Sequence, residues 1–447
     1  MEAVRCGMWS TIGMLMVSAL GGCSSPEEET EECPAPPVCN VKTASCHQVI
    51  FEATACERKQ ERAIAPAVRV ITVAQFVDEM NAALAAMPPD ATEAVWNTAL
   101  QMLGLLPAGA GLADAYSDTS ADNVVAYYDP EAQQVSIITG AGASDPLGDL
   151  LALSHEFAHA LQDQELSLDT YRSDRATSLD SFMALTALIE GEATVLGLAV
   201  AGRSQGIAPQ MLNWDGALTA MWTAIFESID AAAVPFVTAL QGLPYPLGTR
   251  YLYPGWLAGG QSSVDYVYAE PPLSLIDWDG RVDVGGPSVA QPLDCYPTTP
   301  PEGYSAVAQE ALGMNGALAM WMSQGQTAEP AWRSSASWRG DSLVVFQSTT
   351  TTDVAVAWRT RWETTAKASE VATALMPGTP GQSRHVVVEG TEVRLLVAAN
   401  AAVVTPWVAA QQCGSVADLP SAPNLTSNAT LRGITRRRSA PSRLQAW

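Results

Sequence analysis

The stretch LLALSHEFAHALQDQ, residues 150–164, decides how the chain is read: it holds two of the four histidines, four positions apart, with a glutamate directly after the first. Leu150, Leu153, Phe157 and Leu161 recur at steps of three, four and four, the spacing of one apolar stripe on an α-helix. A helix turns by about 100° per residue, so His155 and His159 stand one above the other, away from that stripe, and both imidazoles can face one atom. Glu156 is rotated off that line, where it reaches a water on a metal without being a ligand. This is HExxH geometry, in which two histidines hold zinc and the glutamate takes a proton from the water. The pattern is short and also arises by accident on polar helix faces, so a third ligand has to come from elsewhere in the chain.

The next strongly apolar helix, SFMALTALIEGEATVLGLAVAG (181–202), supplies candidates. It places Glu190 and Glu192 among Leu185, Leu188, Ile189, Val195 and Leu196. A carboxylate in such surroundings is costly unless something pairs with it, and a metal ion is a suitable partner. Two residues along a regular helix the direction changes by about 200°, so only one of the two can face the metal, and Glu190 is preferred. Gly191 is expected to let the two helices approach closely.

The chain begins with MEAVRCGMWSTIGMLMVSALGG, in which one Arg5 precedes an apolar run over 12–20 and small residues follow. That is an export signal. It ends in LGGC (20–23), which resembles the lipobox of bacterial lipoproteins; the resemblance implies cleavage before Cys23 and lipidation of its thiol. An ordinary signal peptide and an uncleaved anchor are the alternatives, and neither returns the mature chain to the cytoplasm. Setting aside Cys6 and Cys23 leaves Cys33, Cys39, Cys46, Cys56, Cys295 and Cys413. An even count in an exported chain points to disulfides, most simply two local bridges plus Cys295–Cys413. No CxxC occurs, which disfavours a zinc ribbon.

With 447 residues, 48% of them hydrophobic, the chain can bury a large core and is expected to divide into two domains. A net charge of −24 argues against nucleic acid as a partner. It also keeps an exported protein soluble, which is explanation enough for it. After Cys23, SSPEEETEECPAPPVC is too charged and proline-rich to pack, and residues 23–62 are read as a tether. Further on, NVVAYYDPEAQQVSIITG (123–140) reads as two strands joined at Asp129–Pro130. Beyond 277, strands and loops with one clear helix form a smaller α+β unit to residue 420, and RGITRRRSAPSRLQAW closes a basic, disordered tail over 421–447 that can touch anionic lipid. His385 and His47 have no companion at metal-ligand spacing and read as structural.

HEFAHALQDQ followed some thirty residues later by ALIEGEA resembles the glutamate-zincin branch of the zinc metallopeptidases, in particular exported bacterial members with HExxH and EGxA. AYYDP, PYPLG and WRGD belong to the same resemblance, which runs with gaps over about 67–375. It implies an α+β fold: a zincin-like catalytic domain over 63–276, with an HExxH helix and an edge-strand hairpin, then the smaller α+β domain. It also implies one zinc ion per chain held by His155, His159 and Glu190, with Glu156 as general base for hydrolysis of a protein or peptide substrate. The setting is a bacterial cell envelope reached through the N-terminal lipid. Where many members carry an aspartate that bonds a histidine's second nitrogen, this chain has Thr194, so Asp163, one turn after His159, is a candidate substitute beside its reading as a solvated helix end. Thr194 itself is a further candidate for supporting a ligand from behind, and Glu192 for that place or for the cleft. Tyr127 and Tyr128 are candidates for the cleft, against the reading of buried aromatics in a hairpin. Two other readings stay open: a zincin-like envelope module without turnover, and a structural lipoprotein with an accidental HExxH.

Overall fold

The computed structural model of the protein describes residues 32–86, 91–121, 125–139, 145–278, 290–377, 381–410 and 413–414. The signal segment, Cys23 and the tail over 421–447 lie outside the described residues, as does the side chain of Cys413. The first half is mostly helical: α1 (Ala44–Glu57), β1 (Ala67–Thr72), α2 (Val73–Ala86), α3 (Ala91–Leu103), α4 (Leu112–Ala121), β2 (Ala126–Asp129), β3 (Gln134–Thr139), α5 (Pro146–Leu166), α6 (Leu168–Arg175) and α7 (Leu179–Ser204). Then come α8 (Trp214–Ala231), α9 (Pro235–Gly242), α10 (Pro244–Gly259), α11 (Gln261–Ala269) and α12 (Leu275–Trp278). The last part is β4 (Tyr296–Pro297), β5 (Tyr304–Glu310), α13 (Gly313–Ser323), α14 (Ala328–Ser335), β6 (Trp338–Ser348), β7 (Val354–Trp362), α15 (Thr365–Leu375), β8 (Ser383–Glu389), β9 (Glu392–Ala398), α16 (Ala401–Ala410) and β10 (Cys413–Gly414).

The stretch 150–164 lies inside α5. Asp145 caps that helix by accepting from the backbone of Leu147 and Gly148, Pro146 follows in the first turn, and Ser167 ends it in the left-handed region at φ 53°. The leucine stripe packs as expected: Leu150, Leu153, Phe157 and Leu161 join Ile50 and Phe51 of α1 and Val135 and Ile137 of β3 in one cluster. The opposite face is not a solvent face, because His155, Glu156, Ala158, His159 and Gln162 are buried too. A helix enclosed on all sides cannot be recognised as such from its apolar stripe alone.

The enclosing element is α7. Ser178 and Ser181 cap its start reciprocally, each hydroxyl accepting from the other's backbone N–H. Its 26 residues are long and apolar enough to cross a membrane, yet the apolar surface is inside the protein. Gly191 does not serve the expected contact with α5. A Cβ there would fall 2.3 Å from the Gly248 carbonyl carbon, so Gly191 and Gly248 bring α7 and α10 backbone to backbone. Gly197 is the glycine that faces α5, with Leu151 O 3.2 Å from its would-be Cβ.

The predicted hairpin forms, with β2 antiparallel to β3 and Tyr128 opposite Val135, while β1 lies parallel to β3 on its other side. Asp129 Oδ1 closes the turn by accepting from the backbone of Glu131 and Ala132. Downstream, β5, β6, β7, β9 and β8 form an antiparallel sheet in that order, and β4 pairs with β10. The molecule is thus mixed α+β. Among the described residues four helices accompany the later strands in place of the single one expected, since short buried apolar runs such as GALAMWM in α13 carry no period that separates helix from strand.

Two expected boundaries are not breaks in the structure. One core runs from Trp96 and Leu100 of α3 through α7, α9 and α13 to Trp358 of β7 and Leu395 of β9, crossing residue 276 without interruption. Asp180 and Leu179 at the head of α7 bind that later part directly: Leu179 N donates to Glu310 Oε1, and Asp180 N to Ala311 O. The tether also ends earlier than residue 62. α1 is a core helix, with Phe51 edge-on to Phe157 at 5.5 Å, and Cys39–Cys46 closes a disulfide at its start. Cys56 and Cys295 are disulfide-bonded as well.

Candidate metal centre

His155 and His159 leave α5 on the side where α7 crosses. Their Nε2 atoms are 2.9 Å apart, and Glu190 Oε2 from α7 lies 3.1 Å from the first and 3.3 Å from the second. Among the described residues this is the group whose ligand atoms gather closely enough for an ion, all within 4.8 Å. The fit is a good one. A tetrahedral ion with bonds of about 2.0–2.1 Å keeps its ligand atoms roughly 3.3 Å apart, near the triangle observed. Two imidazoles and one carboxylate suit zinc and neighbouring divalent ions, and three protein ligands leave a position open for chemistry.

Electrostatics agree. Burial drives His155 down to about 4, so its ring is neutral and able to ligate. Burial also opposes a charge on His159, but the carboxylates of Glu190 and Glu156 outweigh it and raise its basicity. Burial pushes Glu190 up, yet His159 and His155 hold it well below the usual carboxylate range. The pocket therefore prefers a positive charge at the point where the three ligand atoms converge.

Glu156 is fully buried beside His155, and the Tyr128 backbone N–H donates to its Oε2 at 2.7 Å. The hairpin thus contributes to the site through a main-chain donor. The Tyr128 hydroxyl points elsewhere, donating to Asp163 at 3.0 Å. Tyr127 lies on the opposite face of the strand, as alternation requires, and its hydroxyl joins Arg69 and Glu79. Asp163 supports no histidine; its other oxygen accepts from Leu168 N at the start of α6. Thr194 donates to the Glu190 carbonyl one turn back. Neither of the two side chains considered as a histidine's partner is one.

That partner is Gln162, whose Oε1 is 2.8 Å from His159 Nδ1. It stands three positions after His159, a helical spacing that could have been searched. Glu192 faces away from the ligand triangle, as the rotation argument requires, and binds Gln162, Gln261, Tyr268 and Arg58. Tyr245, in the PYPLG stretch at the start of α10, is the other residue missed. Its ring stacks on His155 with centroids 5.8 Å apart and planes at 25°, and burial beside Glu190 and Glu156 raises its hydroxyl well above the usual phenol range. His47 bonds the Val41 carbonyl, and His385 pairs with Leu396 in the sheet, so both are structural as read. The chain matches no family model, no curated protein and no solved structure.

Proposed function

We propose that this chain is a zinc-dependent peptidase of the glutamate-zincin kind, exported and lipid-anchored at Cys23 in a bacterial cell envelope, hydrolysing protein or peptide substrates. The observation that carries the reading is the convergence of His155, His159 and Glu190, from two helices, beside a Glu156 that does not belong to the triangle. A bound zinc ion would polarise the scissile carbonyl and make water a competent nucleophile near neutral pH. Glu156, its Oε2 oriented by Tyr128 N–H, accepts the proton of the attacking water and returns it to the leaving amine. Tyr245 keeps its proton because burial beside Glu190 and Glu156 raises it, and its hydroxyl bonds Glu190; once a metal engages that carboxylate, it is the donor we assign to the developing oxyanion.

A second reading, a binding or assembly module with a structural metal, is favoured by the complete burial of His155, Glu156 and His159. The donor count opposes it, because structural zinc sites use four protein ligands. One experiment separates the two: zinc content by elemental analysis and hydrolysis of casein or a peptide library, for wild type and Glu156→Gln. The peptidase reading expects one zinc per chain in both proteins and a loss of about 10²–10⁴-fold in turnover for the variant. Zinc in both with no hydrolysis by wild type supports the second reading, and equal hydrolysis removes Glu156 from the mechanism.

A further inference from the structure

Gln162 is fully buried, and each end of its amide meets a different kind of group. Its nitrogen lies 2.9 Å from the Ile189 carbonyl, 2.7 Å from Glu192 Oε2 and 3.0 Å from Tyr268 Oη. All three accept: Glu192 also receives Arg58 Nε at 2.9 Å, Gln261 Nε2 at 2.7 Å and Tyr268 Oη at 2.6 Å, and this last bond commits the Tyr268 proton and leaves its oxygen as an acceptor. Turning the amide over would set its oxygen against these three acceptors in a dry interior, or take the Tyr268 proton from Glu192, at the cost of unmade buried hydrogen bonds. The oxygen end is therefore committed to His159 Nδ1, which has to be the donor. A neutral imidazole carries one N–H, so the bare lone pair of His159 is on Nε2, the atom that faces His155 and Glu190.

We infer that Gln162 is a positioning residue that locks the tautomer of His159, and that the Glu192–Arg58 ion pair, 30 residues downstream and 104 upstream of it in the chain, exists to hold that amide in one orientation. This rests on His159 being a metal ligand. The arrangement differs from a carboxylate placed directly on the histidine, because the neutral amide passes on orientation while keeping the charge of Glu192 one residue away. His155 has no such device: its Nδ1 is buried with no hydrogen-bond partner among the described residues.

The test uses the full chain and two readouts. Zinc affinity is measured by competition with a chromophoric chelator, and the tautomer by ¹⁵N NMR of the metal-free protein at about pH 9, where imidazole is neutral; the chain has only four histidines to assign. Wild type is expected to show His159 protonated on Nδ1. Gln162→Met should lower zinc affinity about 10–100-fold and move His159 towards the Nε2–H form. Glu192→Gln keeps the shape while removing the charge, and should shift both readouts in the same direction, by about tenfold in affinity. Wild-type affinity and an unchanged Nδ1–H signal in both variants overturn the inference. A wild type that takes up no zinc but shows the locked tautomer, lost in Gln162→Met, would sink the metal reading and leave the lock standing.

Discussion

Glu190 and Glu192 stand two residues apart on α7 and answer to different partners, the first to two histidines and the second to Arg58 and three neutral donors. Their separation was legible from helix rotation alone, and so were His155, Glu156 and His159 from spacing. Gln162 was not, because a glutamine on a helix has no pattern that marks it as buried. Tyr245 was not, because it comes from a helix about ninety residues on and meets His155 only through packing. Tyr245→Phe keeps the ring on His155 and removes only the hydroxyl. On the peptidase proposal, hydrolysis is expected to fall about 10²–10³-fold with zinc content unchanged, and an equally active variant would remove the Tyr245 hydroxyl from that proposal. A second residue test concerns Asp180, which burial pushes up to about 7. The folded protein then keeps a proton that the unfolded chain releases above about pH 4. This contribution to stability is complete at lower pH and is lost as the pH rises through 7. Asp180→Asn should therefore flatten the fall in stability between about pH 4 and about pH 7 in urea unfolding; a slope equal to wild type would remove Asp180 as its source.

Among the elements, α5 and α7 were visible as helices, yet their neighbours were not. Sequence periodicity reports which side of a helix is apolar and says nothing about what covers the other side. For α5 the small residues Ala158 and Gly197 admit α7 closely, and for α7 it is Gly191 against Gly248 that admits α10. Gly191→Ala would drive a methyl group into backbone that cannot step aside. It is expected to destabilise by about 2–3 kcal/mol. The opposite sign is expected for Gly255→Ala on α10, where the nearest atom is Ser263 Cβ at 3.7 Å and helix propensity favours alanine by about 1 kcal/mol. Chemical unfolding of the two variants checks the pair, and a harmless Gly191→Ala would mean that the α7–α10 crossing can relax.

In the molecule as a whole, mixed α+β character was legible because strand alternation and helical spacing alternate along the chain. The large cluster that spans both parts was not, because nothing local in PPLSLIDWDG tells that α12 and β6 share neighbours with α7. The least expected participant is α1, assigned by composition to a tether. Its acidic, proline-rich approach resembles a linker, while the residue that caps its end, Arg58, reaches Glu192. The segment is stapled at Cys39–Cys46, and Cys56, two residues before Arg58, is also cross-linked. A bridge over so short a loop stabilises by roughly 2–3 kcal/mol, concentrated on this helix. Cys39→Ser/Cys46→Ser is therefore expected to release zinc faster to a chelator while the five-stranded sheet retains its circular dichroism; unchanged release would separate the staple from the site. The consequence is one of timing. Arg58 reaches Glu192 from the end of a helix held by cross-linked cysteines, so oxidation of those thiols and the orientation of the Gln162 amide are joined through one short segment, and the order in which they form is set together.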